Sequence, residues 1–321
     1  MPASRAEIGF CFDRILPPTL VVDVARRLEA GGADRMWVIE DCFYTAGVSL
    51  ASAALVTTER LGVGLGILPA VARNPAVTAM EIATLAGLAP DRLDAGIGHG
   101  VQDWMAQMGA RTPSPVTTLE EVLVAVRRLL AGERVTMHGR YVHLDDVQLD
   151  QPPPSPPRLL AGVRGPKSLA MAGRAADGVV LAEPASPSYV RWARDQAGNP
   201  PGFHVAVFGA LCIDADRATA YQRMAPWIAE RLDPPSAGFQ VLPFFDDLVA
   251  RHKEQGNDGL VTMPSDWWTE LGPIGTPDDA AAHIEALEAA GVDSIGLYPK
   301  PRVSESEPRV DELLALVTLL R

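Results

Sequence analysis

Leu159-Leu160-Ala161-Gly162-Val163-Arg164-Gly165-Pro166-Lys167-Ser168 is the stretch of sequence that decides the fold. A short apolar run leads into a turn between two glycines. Pro166 then stands where the first turn of a helix accepts a proline, because the missing N–H has no helical partner there. The stretch therefore predicts a buried strand that runs directly into a helix.

The turn in this stretch also has the chemistry of an anion site. Backbone amides at a helix start converge on an anion, and the helix dipole favours negative charge there. Glycines at 162 and 165 let a ligand approach the backbone, and Arg164 and Lys167 add positive charge. We interpret the turn as a phosphate-binding loop; the alternative is a helix start with nothing bound.

The same strand-then-helix pattern recurs along most of the chain. Repeated units of this kind favour a parallel sheet with helices outside, and eight of them favour a closed barrel. We therefore predict an α/β fold, a (β/α)8 TIM barrel built as a single domain over residues 1–321. The eight apolar runs begin at Ile8, Met36, Leu61, Leu93, Arg158, Gly178, Phe203 and Val292.

Two segments interrupt the repeated strand–helix pattern. Residues 135–149 alternate in polarity around His138-Gly139, which predicts a hairpin rather than a barrel strand. Residues 226–275 are rich in proline, aromatic residues and acids, and we interpret them as an insertion between the seventh and eighth barrel strands. Its tryptophans are expected to serve partly as a lid and partly as a small core.

Composition narrows the classes of partner. The formal net charge of -12 argues against nucleic acid and anionic membranes. No apolar run reaches the roughly 20 residues that span a bilayer, and the N-terminus lacks a signal-peptide core, so we expect a cytoplasmic protein. The 3 cysteines are far apart, and no motif has metal-site spacing, so no metal is expected.

The active site of such a barrel lies at the carboxyl ends of the strands. Asp41 follows the second strand and could act as a base or form a loop salt bridge. His99 lies between Gly98 and Gly100 at the end of the fourth strand, where an imidazole is either catalytic or structural. Glu183, after the sixth strand, carries the same ambiguity.

Glycines inside the third strand favour a planar ligand. Gly62-Val63-Gly64-Leu65-Gly66 superficially matches a dinucleotide fingerprint, but these glycines lie within a strand and do not open a helix. A bulge, or a strand face kept flat for a ligand, accounts for them better.

Several of these segments, taken in order, resemble the bacterial luciferase-like monooxygenase superfamily. The similarity is greatest to its branch that uses the deazaflavin coenzyme F420. The segments are Trp37-Val38-Ile39-Glu40-Asp41, Gly64 to Pro69 with Arg73-Asn74-Pro75, Arg92-Leu93 with Gly96-Ile97-Gly98, and Gly165-Pro166-Lys167 with Ala176-Asp177-Gly178.

The resemblance implies where the cofactor binds. The third strand should end in a bulge with a non-prolyl cis peptide behind the ring, at Leu65, Gly66, Ile67 and Leu68. The phosphate loop maps onto the 162–167 turn, and Gly98-His99-Gly100 with Trp104 should line the ring. The full set of expected cofactor-binding residues is Leu65, Gly66, Ile67, Leu68, Gly98, His99, Gly100, Trp104, Ala161, Gly162, Val163, Arg164, Gly165, Pro166, Lys167 and Glu183.

Two departures from the family pattern bear on the chemistry. Relatives commonly carry Asp-His at the end of the second strand, whereas this chain has Glu40-Asp41. The acid that the family's glucose-6-phosphate dehydrogenases place after the fourth strand is replaced by Val101, which disfavours a sugar phosphate as substrate.

The resemblance therefore predicts an oxidoreductase that transfers a hydride between F420 and a small organic substrate, with Asp41 or His99 handling the proton. The alternatives are an FMN-dependent monooxygenase of the same fold and a non-catalytic flavin-binding homologue. A homodimer is expected, with the apolar helices after the second and third strands as candidate contact faces.

Overall fold

Eight parallel strands close into a barrel in the computed structural model, which describes residues 5–300 and 308–321. The expectation of a cytoplasmic protein rests partly on residues 1–4, which lie outside the described residues. Within the described residues the strands are β1 (Glu7–Phe12), β2 (Arg35–Val38), β3 (Gly62–Pro69), β4 (Leu93–Gly98), β5 (Val135–His138), β6 (His143–Val147), β7 (Arg158–Gly162), β8 (Gly178–Leu181), β9 (His204–Ile213), β10 (Ile274–Gly275) and β11 (Ser294–Pro299).

Helices follow the barrel strands and cover them from outside. Over the described residues they are α1 (Val21–Ala30), α2 (Gly47–Thr57), α3 (Pro75–Leu88), α4 (Gln102–Gln107), α5 (Pro115–Leu130), α6 (Pro166–Ala175), α7 (Pro187–Ala197), α8 (Arg217–Ala229), α9 (Ala237–Gln240), α10 (Phe245–Val261), α11 (Ser265–Leu271), α12 (Pro277–Ala289) and α13 (Val310–Leu319). None of the described helices is long and apolar enough to cross a lipid bilayer.

The strand order around the barrel is β1, β2, β3, β4, β7, β8, β9, β11 and back to β1, and every pairing in this ring is parallel. This closed ring confirms the predicted (β/α)8 barrel. The short strand β10 extends the sheet beside β9. The predicted hairpin is also confirmed, since β5 and β6 pair antiparallel outside the barrel.

Local signals set where most helices begin. Pro166 is at the first turn of α6, and the Asn74 side chain accepts a hydrogen bond from the Ala76 N–H at the start of α3. Thr276 and Asp279 form a reciprocal capping box at α12. Thr118 and Glu121 have the sequence spacing of a second capping box, but they do not form one.

The hairpin formed by β5 and β6 explains why Thr118 and Glu121 do not form a capping box. Helix α5 begins at Pro115, so Thr118 lies inside its first turn. The Glu121 carboxylate instead accepts three backbone N–H bonds, from Arg140, Tyr141 and Val142, and thereby holds the hairpin turn against the helix. These bonds lower the pKa of Glu121 despite opposing desolvation.

The barrel interior is filled by a separate set of apolar side chains from alternate strand positions. Trp37 and Phe208 meet edge to face there, with ring centroids 5.2 Å apart. A Cβ at Gly64 would lie 2.2 Å from Trp37 Cε3, so this glycine makes room for an indole. The interpretation of Gly64 as part of a face kept flat for a ligand is therefore wrong.

The segment between β9 and α12 is helical and has an apolar cluster of its own. Trp268 is fully buried and stacks on Tyr221 at 4.6 Å, and Trp267 stacks on Phe244 at 4.5 Å. These tryptophans pack within the segment rather than over the barrel mouth. Helix α8 and the residues after it nevertheless reach the mouth, as described below.

Candidate active site

A cavity of about 560 Å³ opens at the carboxyl ends of the barrel strands. This volume lies in the range of cofactor and substrate sites. Residues at or just beyond the ends of seven barrel strands line it, together with Phe208 from within β9, because a parallel barrel brings the strand ends to one face.

One wall of the cavity is the end of β3. Pairing between β3 and β4 shifts register between Leu65 and Leu68, and the Gly66–Ile67 peptide bond is cis. The expected bulge and non-prolyl cis peptide are thus confirmed. Gly66 and Ile67 line the cavity, whereas the side chains of Leu65 and Leu68 pack into the layer between strands and helices.

Small residues beside this wall are required by close packing. A Cβ at Gly162 would lie 2.6 Å from Ile67 Cγ2, and one at Gly98 would lie 2.8 Å from Ile67 Cδ1. Gly98 itself is buried and does not line the cavity. Strands β3, β4 and β7 can therefore present a continuous surface only because Gly98 and Gly162 lack side chains.

The turn that joins β7 to α6 forms a second wall. Gly162, Val163, Arg164 and Gly165 line the cavity, as the phosphate-loop interpretation requires. A Cβ at Gly165 would meet no atom within 4 Å, so its backbone is open to a ligand. The buried Tyr189 hydroxyl donates to the Arg164 carbonyl oxygen at 2.9 Å and fixes the turn.

Three other residues predicted for this loop do not line the cavity. Ala161 is buried in the layer between strands and helices. Pro166 and Lys167 are exposed on the first turn of α6, outside the cavity wall. Ser168, one turn into the helix, lines the cavity and was not expected.

His99 is tied to this turn through Ser168. Its Nε2 lies 2.9 Å from Ser168 Oγ, across 69 residues of sequence. Burial lowers the pKa of His99, and the nearby backbone of Pro115 opposes that shift only in part. The imidazole is therefore neutral near pH 7. Gly100, at φ +69°, turns the chain from His99 toward Trp104, which also lines the cavity.

The two adjacent carboxylates after β2 have separate partners. Glu40 accepts a two-point hydrogen bond from Arg73 and a further bond from the Gly47 N–H at the start of α2, at 2.8 Å. Asp41 accepts a 2.7 Å bond from Arg14, whose guanidinium lies 4.9 Å from the Tyr44 ring centroid. The salt bridge that the sequence left as an alternative for Asp41 is the arrangement observed.

Aromatic and apolar side chains form the floor of the cavity. Phe208 and Tyr298 meet edge to face at 6.0 Å, and Lys300 lies beside them with its Nζ 3.2 Å from Asp13 Oδ2. Burial, followed by the Glu183 carboxylate, raises the pKa of the Cys11 thiol beneath them. Asp13, Tyr298 and Lys300 lie at or just beyond the ends of β1 and β11, whereas Phe208 lies within β9 and no sequence signal distinguished it.

The helical segment after β9 contributes one side chain to the wall. Arg231 lines the cavity, and its guanidinium carbon lies 4.0 Å above the Trp227 ring centroid. Its Nη1 also donates to the Trp227 carbonyl oxygen at 2.9 Å. The arginine is thus held rigidly on the rim, and one tryptophan of the segment supports the mouth without covering it.

Comparison with known proteins places this geometry in a class. The closed barrel with a cavity at its carboxyl face has the architecture of the TIM-barrel enzymes. A family model described as luciferase-like monooxygenase matches residues 10–294, and the chain belongs to that family. The resemblance inferred from sequence, and with it the prediction of an oxidoreductase, is confirmed.

Individual relatives narrow the comparison. The 5,10-methylenetetrahydromethanopterin reductase of Methanolobus tindarius is 26% identical over 302 residues, which cover 87% of this chain and 90% of the relative. The structure of a coenzyme F420-dependent tetrahydromethanopterin reductase from Methanopyrus kandleri superposes with a TM-score of 0.77 at 20% identity, covering 98% and 97% of the two chains. An F420-dependent secondary alcohol dehydrogenase, solved with an F420–acetone adduct, gives 0.74 at 20% identity over 99% and 100%.

Proposed function

We propose that this chain binds the deazaflavin F420 in the strand-end cavity and transfers a hydride between the cofactor and a small organic substrate. One observation carries the proposal: the bulged end of β3, with its cis Gly66–Ile67 bond, and the open turn at 162–165 form adjoining walls of one cavity. Similar proteins whose names include F420 support the choice of cofactor.

The residues present fit such a group. Ile67 and the glycines beside it give an uninterrupted surface for a planar ring, and the open backbone at Gly165 suits a phosphate at the start of α6. Arg164 adds a cation at the same turn. The cavity volume of about 560 Å³ leaves room for a small substrate beside the ring.

F420, when bound, supplies a deazaflavin ring that accepts or releases a hydride at C5. The protein binds the cofactor and orients it. Ile67 supports the ring from behind, and the neutral His99, held by Ser168, presents a fixed polar edge beside it. The apolar floor at Phe208 keeps water from the reacting carbon. Asp41 and His99 are the proton-handling groups that the sequence proposes.

FMN is the alternative cofactor, because the matching family model is one of monooxygenases. Such an enzyme would use reduced FMN and molecular oxygen. The same two cavity walls suit either ring, so binding geometry alone does not separate the two functions.

Turnover separates them. Under anaerobic conditions we expect the purified protein to interconvert oxidised and reduced F420 with a panel of small alcohols and carbonyl compounds. With reduced FMN in air we expect no oxygen consumption above that of the free flavin. Oxygen uptake with FMN and no F420 turnover would make the protein a monooxygenase. Tight binding without turnover of either cofactor would make it a non-catalytic homologue.

A further inference from the structure

Five carboxyl or imidazole groups line the cavity and have the chemistry to exchange a proton with a bound substrate: Asp13, Glu40, Asp41, His99 and Glu183. Four of them are engaged, and of these Asp13 is bonded to Lys300 and Glu40 to Arg73. The Asp41 carboxylate is held by Arg14 at 2.7 Å, in a pair that also contacts the Tyr44 ring. The neutral His99 imidazole is tied through Nε2 to Ser168. These partners hold the three carboxylates and His99 Nε2 in place, and the remaining His99 nitrogen, Nδ1, is buried.

Glu183 is the fifth group and differs from the other four. It follows β8 directly, lines the cavity and is half-buried. Among residues 5–300 and 308–321, no hydrogen bond or ion pair engages its side chain. A half-buried carboxylate without a partner costs stability, so packing does not account for it. Its placement is that of a group kept available for a ligand.

The surroundings of Glu183 are defined by the strands on either side of the floor. Its charge is close enough to Cys11 on β1 and Tyr298 on β11 to contribute to the raised pKa values of both, after burial in each case. The other charged groups that line the cavity are Asp13, Arg14, Glu40, Asp41, Arg164, Arg231 and Lys300. Asp13 is already bonded to Lys300, and Asp41 to Arg14.

We propose that Glu183 is the catalytic residue that exchanges a proton with the substrate. This inference rests on the proposed function. With an alcohol as the substrate, the O–H bond breaks in the oxidising direction and its proton goes to a Glu183 carboxylate oxygen. The C=O bond forms as the C–H electron pair leaves, and F420, when bound, would accept that pair with its hydrogen as a hydride. The proton then passes from Glu183 to solvent at the cavity mouth, and reduction reverses each transfer.

The test compares wild type with Glu183→Gln, Glu183→Asp and Glu254→Gln. Glu254 is exposed on α10, outside the cavity, so its substitution makes the same chemical change without touching the site. F420 affinity is measured by fluorescence titration, and kcat is measured against pH with alcohols and ketones. Proton uptake on F420 binding is measured by calorimetry in two buffers near pH 5, because excluding water from an unpaired carboxylate favours its protonated form.

We expect Glu183→Gln to bind F420 within about twofold of wild type and to lose kcat by about 100-fold or more. It should also lose the acid limb of the pH profile and the proton uptake. Glu183→Asp should recover part of the rate, and Glu254→Gln should match wild type. Proton uptake by Glu183→Gln equal to that of wild type overturns the inference even if no substrate is found. Failure of wild type to bind F420 overturns the proposed function itself, and the inference with it.

Discussion

Two neighbouring carboxylates at the cavity mouth, Glu40 and Asp41, bind different arginines and have different roles. Glu40 joins Arg73 to the start of α2 and is almost buried, so it belongs to the packing of the barrel rim. Asp41 is more exposed and lines the cavity. The sequence placed both at a strand end but did not reveal either partner, because Arg73 lies 33 residues from Glu40 and Arg14 lies 27 residues from Asp41.

Removing Arg73 should destabilise the protein. Arg73→Met leaves the Glu40 carboxylate almost buried without its cation, and we expect a loss of about 3 kcal/mol in the free energy of unfolding. Urea denaturation measures it. The matched control is the double variant Arg73→Met with Glu40→Gln, which removes both charges and should recover most of the loss. Equal destabilisation of single and double variants would show that the ion pair is not the cause.

His283 should make stability depend on pH. Burial between α11 and α12 lowers the pKa of His283 to about 4 from 6.5, and its Nδ1 lies 2.5 Å from the Thr269 carbonyl oxygen. The unfolded chain therefore binds the proton more readily than the folded one. The contribution of His283 to the free energy of unfolding should be complete above pH 6.5. It should be lost as the pH drops toward 4, by roughly 3 kcal/mol in total.

Urea denaturation between about pH 7 and about pH 5 measures this effect. His283→Asn is the matched variant, because its amide can still donate to the Thr269 carbonyl oxygen but does not titrate. Its stability should change less over the same interval. A variant that loses stability as steeply as wild type would assign the pH dependence to other groups.

At the scale of elements, the turn into α6 is the part of the site that local sequence predicted best. Its strand, glycines and proline act on their immediate neighbours, so ten consecutive residues are enough to predict the turn. The link from α6 to His99 through Ser168 was not predicted, because it joins residues 69 positions apart. The same limit applies to Thr118 and Glu121, which have the spacing of a capping box although the Glu121 carboxylate binds a hairpin about 20 residues downstream.

Gly165→Ala tests whether the turn is a ligand site rather than a helix start. The backbone φ of -95° at Gly165 accepts alanine, and the new Cβ would meet no protein atom within 4 Å. We expect the free energy of unfolding to change by less than about 1 kcal/mol. F420 affinity should fall about tenfold, since the methyl group occupies the ligand's approach to the backbone.

The matched control is Gly87→Ala on α3, where a Cβ also meets nothing within 4 Å and which lies outside the cavity. It should leave F420 affinity unchanged and stabilise the helix slightly. Unchanged F420 affinity in Gly165→Ala would remove the turn from the binding site.

At the scale of the whole molecule, the barrel and its parallel order were predictable because each strand–helix unit repeats the same pattern. The contents of its interior were not. Gly64 resembled a flat ligand face in sequence, yet it accommodates Trp37 from the neighbouring strand. Arg231 reaches the cavity from a helical segment whose composition gave no sign of a site residue. Such contacts depend on how distant segments meet, which a single sequence does not state.

The homodimer remains a prediction, and the surface of α2 and α3 gives it a location. These packed helices carry a single charged residue, Glu81, between them and expose Val56, Met80 and Leu88. We expect light scattering to show a dimer in which Met80→Glu weakens association by about 2 kcal/mol, roughly 30-fold. Leu319→Glu, an equally exposed apolar position on α13, should not. A wild-type monomer at micromolar concentration would refute the dimer.

The central claim is that the strand-end cavity is an F420 site, and parallel titration of the purified protein with F420 and FMN, followed by fluorescence, tests it most directly. The account predicts saturable F420 binding at micromolar or lower concentration, with FMN binding at least about tenfold weaker. Tighter binding of FMN, or no binding of F420, would contradict it.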